Sequence, residues 1–148
     1  MKFISHRGNL NGPTDDENDP ERVRKVLSMG YDVEIDVWKK DGEIYLGHDS
    51  PNYLISKTFV FQEGLWCHAK NYEALEYLTR CGAHCFFHQE DDYAITSKGF
   101  IWAYPGKPTG PNCIAVMPER FGNIISTDTY GICSDYIEDI KLNVLNNT

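Results

Sequence analysis

The chain has 148 residues and a formal net charge of −8, so a single domain around one core is expected. Its hydrophobic fraction of 41% and charged fraction of 24% are those of a globular protein, not a disordered one. The acidic balance argues against nucleic acid or an anionic membrane surface as the main partner, and an anionic substrate would need a local cation or metal to reverse the field.

In chain order, Lys2 to Ser5 is predicted as a short strand, ended by Gly8. Asn9 to Asp19 is polar and carries Gly12 and Pro13, so it reads as a loop. Asn18 or Asp19 can cap a helix that has Pro20 in its first turn. Val23, Val26 and Leu27 give that helix its apolar face, and Gly30 stops it. Tyr31 to Val37 alternates, with Val33, Ile35 and Val37 on one side and Asp32, Glu34 and Asp36 on the other. The acidic side is either the solvent face of a sheet or the polar mouth of a closed barrel. Asp41-Gly42 is a turn, and Glu43 to Leu46 the next extended piece.

Leu65 to Ala69 is another strand, followed by a helix over Asn71 to Arg80 closed by Gly82. Cys85 to Phe87, Phe100 to Ala103, Cys113 to Met117 and Gly131 to Cys133 are short apolar runs between turn-rich segments, and Ile124-Ile125 is a further candidate strand. Asp135 to Leu145 reads as a closing helix. Met1-Lys2 runs directly into a strand-like segment, so no secretory leader is expected, and no apolar run is long enough to span a membrane. The odd number of cysteines, five, reads as reduced, mostly buried thiols of a cytoplasmic protein. Short strands alternating with helices predict an α/β fold with a parallel sheet.

Three motifs carry chemistry: Ser5-His6-Arg7-Gly8, Glu34-Ile35-Asp36 and Gly47-His48-Asp49. Each sits at a predicted strand end. Together they supply two acid/base groups, a cation for phosphate and hard oxygen ligands for a divalent ion. Glu34 and Asp36 are two apart on a strand and share a face, where their charges repel unless a cation lies between them. Alone, such a pair is more often an exposed acidic face. His6 and His48 each stand beside a helper, Arg7 and Asp49. A closed structural zinc site is not expected from Cys67, His68, Cys81, His84, Cys85 and His88, because no Cys-x-x-Cys pair exists and Cys85 alternates away from His84 and His88.

In these three motifs, their order and their spacing, the first fifty residues resemble the glycerophosphodiester phosphodiesterase family, within the superfamily that includes phosphatidylinositol-specific phospholipase C. The resemblance is partial over Leu65 to Asn71 and faint over Gly131 to Asp135. It implies a TIM barrel, which usually takes roughly 250 residues. Residues 1–148 are therefore expected to form one reduced (β/α) TIM-type barrel domain with several helices shortened or missing.

It also implies a metal-dependent phosphodiesterase acting on a small soluble phosphodiester. His6 and His48 would be its acid/base pair, Arg7 and Lys70 phosphate contacts, and Glu34 and Asp36 metal ligands. The family's third carboxylate stands in a Glu-x-Lys motif, whose place is taken here by His68-Ala69-Lys70. His68 is then a third candidate ligand, and Mn²⁺ or Zn²⁺ joins the family's Mg²⁺ or Ca²⁺ as the expected ion. His88 and Trp102 are further candidate substrate contacts, His88 by sharing the mouth with His68 and Trp102 by stacking. Two alternatives use the same residues: a phosphate-ligand binding module without turnover, and a lyase that releases a cyclic phosphate.

Overall fold

The computed structural model describes residues 1–122 and 125–148. It contains ten strands: β1 (Lys2–His6), β2 (Asp32–Lys40), β3 (Glu43–Leu46), β4 (Tyr53–Ile55), β5 (Leu65–Ala69), β6 (Cys85–Phe86), β7 (Tyr93–Ile95), β8 (Ile101–Ala103), β9 (Cys113–Val116) and β10 (Gly131–Ser134). Three helices accompany them: α1 (Pro20–Ser28), α2 (Tyr72–Cys81) and α3 (Ile137–Asn146). All the strands belong to one mixed sheet, curled into a half-barrel. Its parallel part runs β6-β5-β2-β1-β10-β9-β8. Two antiparallel pieces extend it: β3 and β4 off the far end of β2, and β7 off β8.

The expected TIM-type barrel is therefore corrected. Among the described residues β6 and β8 do not pair, strands dominate, and helices follow only β1, β5 and β10. The reason is chain length. A parallel crossover with a helix needs a dozen or more residues, and the link from β8 to β9 is only residues 104–112. The path from β2 to β5 is spent on a β-meander and a 3₁₀ turn, Phe59–Phe61. β4 and β7 were not expected from the sequence. The candidate strand Ile124-Ile125 lies partly outside the described residues.

The helices start and stop where local chemistry dictates. Asp19 caps α1 by accepting the Glu21 N–H, and Pro20 opens its first turn. Asn71 caps α2 through the Ala74 N–H, and Gly82, at φ 77°, ends it in the left-handed region. All three helices cover one face of the sheet. Val23, Val26, Ala74 and Leu78 pack there against the odd-numbered residues of β2 and β5, and Ile137 and Ile140 of α3 join the same core over β1 and β10.

The opposite, inner face is a second layer. Ile4, Trp66, Phe86, Trp102, Ile114 and Cys133 fill its lower part. Phe86 and Trp102 lie 4.5 Å apart, ring centre to ring centre, and Trp66 and Trp102 5.9 Å. Side chains thus bridge a gap with no strand pairing, which is otherwise crossed at one end by the Ser97 N–H donating to Cys85 O at 2.7 Å. Strand alternation puts the next inner positions, His6, Glu34, Asp36 and His68, above this aromatic floor.

Candidate functional site

Register assembles the site. His6 is paired with Glu34 between β1 and β2, and Asp36 with His68 between β2 and β5. Asp135, just beyond β10, stands on the other side of His6. Glu34 and Asp36 are 2% and 0% exposed. The acidic side of β2 thus lines the inner face, not the solvent face.

His6 Nδ1 lies 2.7 Å from Asp135 Oδ1. A carboxylate can only accept here, so Nδ1 carries the proton and Nε2 is the free basic nitrogen. Burial opposes charge on His6, but the Asp135 hydrogen bond and the Glu34 charge outweigh it and raise its pKa. The Asp135 carboxyl is held low: burial works against its charge, and the His6 hydrogen bond prevails. Asn9 Nδ2 donates to the same oxygen at 2.9 Å.

The two β2 carboxyls divide. Glu34 is pushed up to about 7, first by burial and then by the Asp36 charge. Asp36 is held well below the usual carboxylate range, because His68, Arg7 and Asn18 together outweigh its burial. Asn18 grips Asp36 twice: Nδ2 donates to Oδ2, and Oδ1 accepts the Asp36 N–H, both at 2.9 Å. Arg7 Nε is 3.2 Å from the same Oδ2 but is not aimed at it, so the contact is an ion pair without a formed hydrogen bond. Arg7 and Asn18 both sit at positive φ, 58° and 64°. Two left-handed residues with side chains are thus held in place beside one carboxylate.

His68 Nε2 is 2.9 Å from the His88 main-chain oxygen, so Nε2 carries the proton. Its Nδ1 faces Asp36 Oδ1 at 3.2 Å and Glu34 Oε1 at 3.9 Å. One donor atom from each of Glu34, Asp36 and His68 lies within 4.8 Å of the others. Around an ion with bonds of about 2.0–2.2 Å, donors at right angles are about 3.0 Å apart and opposite donors about 4.2 Å. Glu34 Oε2 and Asp36 Oδ1 are buried with no hydrogen-bond partner. Asp36 Oδ1 faces His68 Nδ1 and Glu34 Oε2 lies 3.7 Å from His6 Nε2, and buried acceptors without donors beside an imidazole nitrogen fit a divalent ion, whose charge would answer the repulsion between the two carboxyls.

The remaining predicted residues are less gathered. His48 follows β3 in a turn where Gly47 is required, since a Cβ there would meet Ser50 O at 1.9 Å. The imidazole is half-exposed, hydrogen-bonded to Asp49, and lines a cleft of about 210 Å³ with Arg7, Glu17, Asn18 and Tyr53. No hydrogen bond or ion pair joins His48 to His6 among the described residues. Arg7 also pairs with Glu17 at 3.1 Å. Lys70 directly follows β5, half-buried, with its N–H donating to Val37 O. His88 meets the site through its main-chain oxygen, and its ring stands 6.3 Å from that of His68 and 6.1 Å from that of Tyr104. Trp102, expected at the mouth, is instead 4% exposed in the aromatic floor.

Asn18 and Asp135 escaped the sequence reading as site residues. Asn18 reads from the sequence as a helix cap, and Asp135 as the end of the faintly matching Gly131 to Asp135 stretch and the start of a closing helix. No protein-family model, curated protein or solved structure matches the chain. No helix among the described residues is long and apolar enough to cross a membrane.

Proposed function

We propose that this chain is a metal-dependent phosphodiesterase acting on a small, soluble phosphodiester. One observation carries the reading: an acid/base histidine with a fixed tautomer, His6, stands beside a buried Glu34-Asp36-His68 donor set, three strands having converged to build it. The three motifs that resemble the glycerophosphodiester phosphodiesterase family support it independently, although the barrel that resemblance implied is not what the chain forms.

In this reading Asp135 holds His6 so that Nε2 takes a proton from the attacking hydroxyl. His48, on the rim of the Arg7 cleft, protonates the leaving oxygen. Arg7 exchanges its Glu17 contact for a phosphate oxygen, a charge-assisted bond for which guanidinium geometry suits. Glu34, Asp36 and His68 would hold the divalent ion, whose chemistry when bound is Lewis-acid stabilisation of charge on the phosphoryl oxygens. The ion would also answer a local imbalance: Arg7 pairs with Glu17 and Asp36, while Glu34 and Asp135 face His6. The free state of all five cysteines supports a reducing, cytoplasmic compartment.

A second reading is phosphate-ligand binding without turnover. The separation of His48 from the buried cluster favours it. The deciding experiment is a panel of phosphodiesters with several divalent ions, comparing the wild type with His6→Ala. The expected outcome is turnover that falls roughly 10²–10⁴-fold in the variant. Binding with no turnover under any ion would establish the second reading, and product analysis separates hydrolysis from release of a cyclic phosphate.

A further inference from the structure

We propose that the site selects a borderline transition-metal dication of the Mn²⁺, Fe²⁺ or Zn²⁺ class over Mg²⁺ and Ca²⁺, with His68 Nδ1 as the selecting donor and the His88 main-chain oxygen as the group that fixes the ring tautomer placing the lone pair on that nitrogen. The inference rests on the reading of Glu34 and Asp36 as metal ligands.

A main-chain carbonyl has no proton to give, so the 2.9 Å contact to His68 Nε2 needs an N–H on that nitrogen. In the neutral ring Nδ1 is then a bare lone pair. It faces two carboxylate oxygens, at 3.2 and 3.9 Å. Three acceptors around one point repel unless a cation occupies it. A proton on Nδ1 answers this poorly, because Asp36 Oδ1 has no aligned hydrogen-bond donor even at 3.2 Å. Nδ1 is thus within reach of both oxygens without a hydrogen bond to Asp36 Oδ1, and one shared ion would satisfy all three atoms.

The ring cannot easily turn away. It stacks on Phe86 with ring centres 5.1 Å apart and planes within 7°. The other Asp36 oxygen is already taken by Asn18, which leaves Oδ1 as its free donor. A ligating histidine whose second nitrogen donates to a main-chain carbonyl is the usual arrangement at protein metal centres. One imidazole with two carboxylates is a mixed nitrogen and oxygen set. Mg²⁺ and Ca²⁺ prefer all-oxygen shells, whereas imidazole favours the later first-row ions.

The test uses the whole chain and Mn²⁺, Zn²⁺, Mg²⁺ and Ca²⁺ added singly. Calorimetric titration gives the affinities, and pulsed EPR of bound Mn²⁺ reads nitrogen coupling without reference to activity. The expected results are nitrogen coupling in the wild type and affinity for Zn²⁺ and Mn²⁺ at least roughly tenfold above that for Mg²⁺ and Ca²⁺. His68→Glu should abolish the coupling and narrow the Zn²⁺-to-Mg²⁺ ratio by roughly 10–100-fold. His68→Gln should lose the coupling without gaining Mg²⁺ affinity. Mn²⁺ bound with no nitrogen coupling in the wild type overturns the inference, whatever the variants do, and leaves the phosphodiesterase reading standing. An unchanged metal ratio in a folded His68→Glu protein overturns it as well. Nitrogen-coupled Mn²⁺ with no turnover of any phosphodiester supports the inference and removes the phosphodiesterase reading instead.

Discussion

Asn18→Ala is expected to cost about 3–5 kcal/mol of folding stability, a large effect for a loop residue. The wild-type amide is completely buried and makes two 2.9 Å hydrogen bonds to Asp36, one to its carboxylate and one from its N–H. A bond to a charged group is worth about 1.5–3 kcal/mol, and a buried N–H left unpaired costs about 1–3 kcal/mol. Position 18 also sits at φ 64°, where alanine is worse than asparagine by about 1 kcal/mol. Both bonds belong to one amide, so the contributions do not add fully, and about 3–5 kcal/mol is the expectation. Glycine removes the backbone strain but restores neither bond. Asn18→Gly should therefore be about 1 kcal/mol more stable than Asn18→Ala and still far below wild type. Urea denaturation followed by circular dichroism and tryptophan fluorescence measures all three. A loss under about 1 kcal/mol in the alanine variant, or glycine no better than alanine, would refute the reasoning.

Two further outcomes follow from the inner face. Trp102→Ala should cost about 3–5 kcal/mol, as truncation of a buried aromatic does, because Trp102 joins β8 to Phe86 across the unpaired edge; a loss near zero in urea denaturation would mean the edges are held otherwise. His84, lowered to about 4 by burial and by the nearby Lys98 charge, is neutral in the folded state, so its contribution is complete above pH 6.5 and is lost as pH falls from 6.5 toward 4. With screening from the adjoining cleft, His84→Gln should flatten the wild-type stability loss over that window by about 1–2 kcal/mol, and parallel pH profiles of the two proteins would contradict this.

Much of the site was legible because strand parity is local information. The spacing of Glu34 and Asp36 put them on one face, and His6 and His68 fell on inner positions of neighbouring strands by the same rule. Which face was buried was not local: a closed barrel and an exposed sheet fit the same alternation. The fold class failed for a related reason. Short apolar runs predict strands, but whether the intervening chain can form a helix and whether the sheet closes depend on the lengths of all connections together. Asn18 shows the limit at one residue. Its polar side chain before Pro20 suited a helix cap equally well, yet Asp19 does the capping and Asn18 turns inward to Asp36. Asp135 is similar, since contact with His6 spans 129 residues of sequence. Trp102 erred in depth: facing inward was foreseen, but β8 ends too soon for its ring to reach the polar layer.

The charges of the inner face set function against stability, and Glu34→Gln exposes the conflict. Glu34 and Asp36 share a buried face, and the Glu34 carboxyl rises to about 7 because burial and Asp36 oppose its ionisation. A folding core gains nothing from such a pair, since desolvation of a second carboxylate exceeds what Arg7 and the histidines return. A neutral amide of nearly the same shape removes the like-charge term. In excess chelator, Glu34→Gln should therefore be as stable as wild type or more so, by about 1–2 kcal/mol. The wild type should recover when metal is added, because an ion that binds only the folded state stabilises it by about 2.7 kcal/mol at a hundredfold excess over its dissociation constant. The variant, lacking one anionic donor, should respond far less. Urea denaturation of both proteins in EDTA and in Mn²⁺ gives four free energies. A chelated variant weaker than chelated wild type by more than about 1 kcal/mol would show that Glu34 is kept for structure. Equal metal responses in the two proteins would show that Glu34 is not a ligand. The expected pattern, a gain without metal and a loss with it, is that of a carboxylate retained for an ion at the expense of the fold.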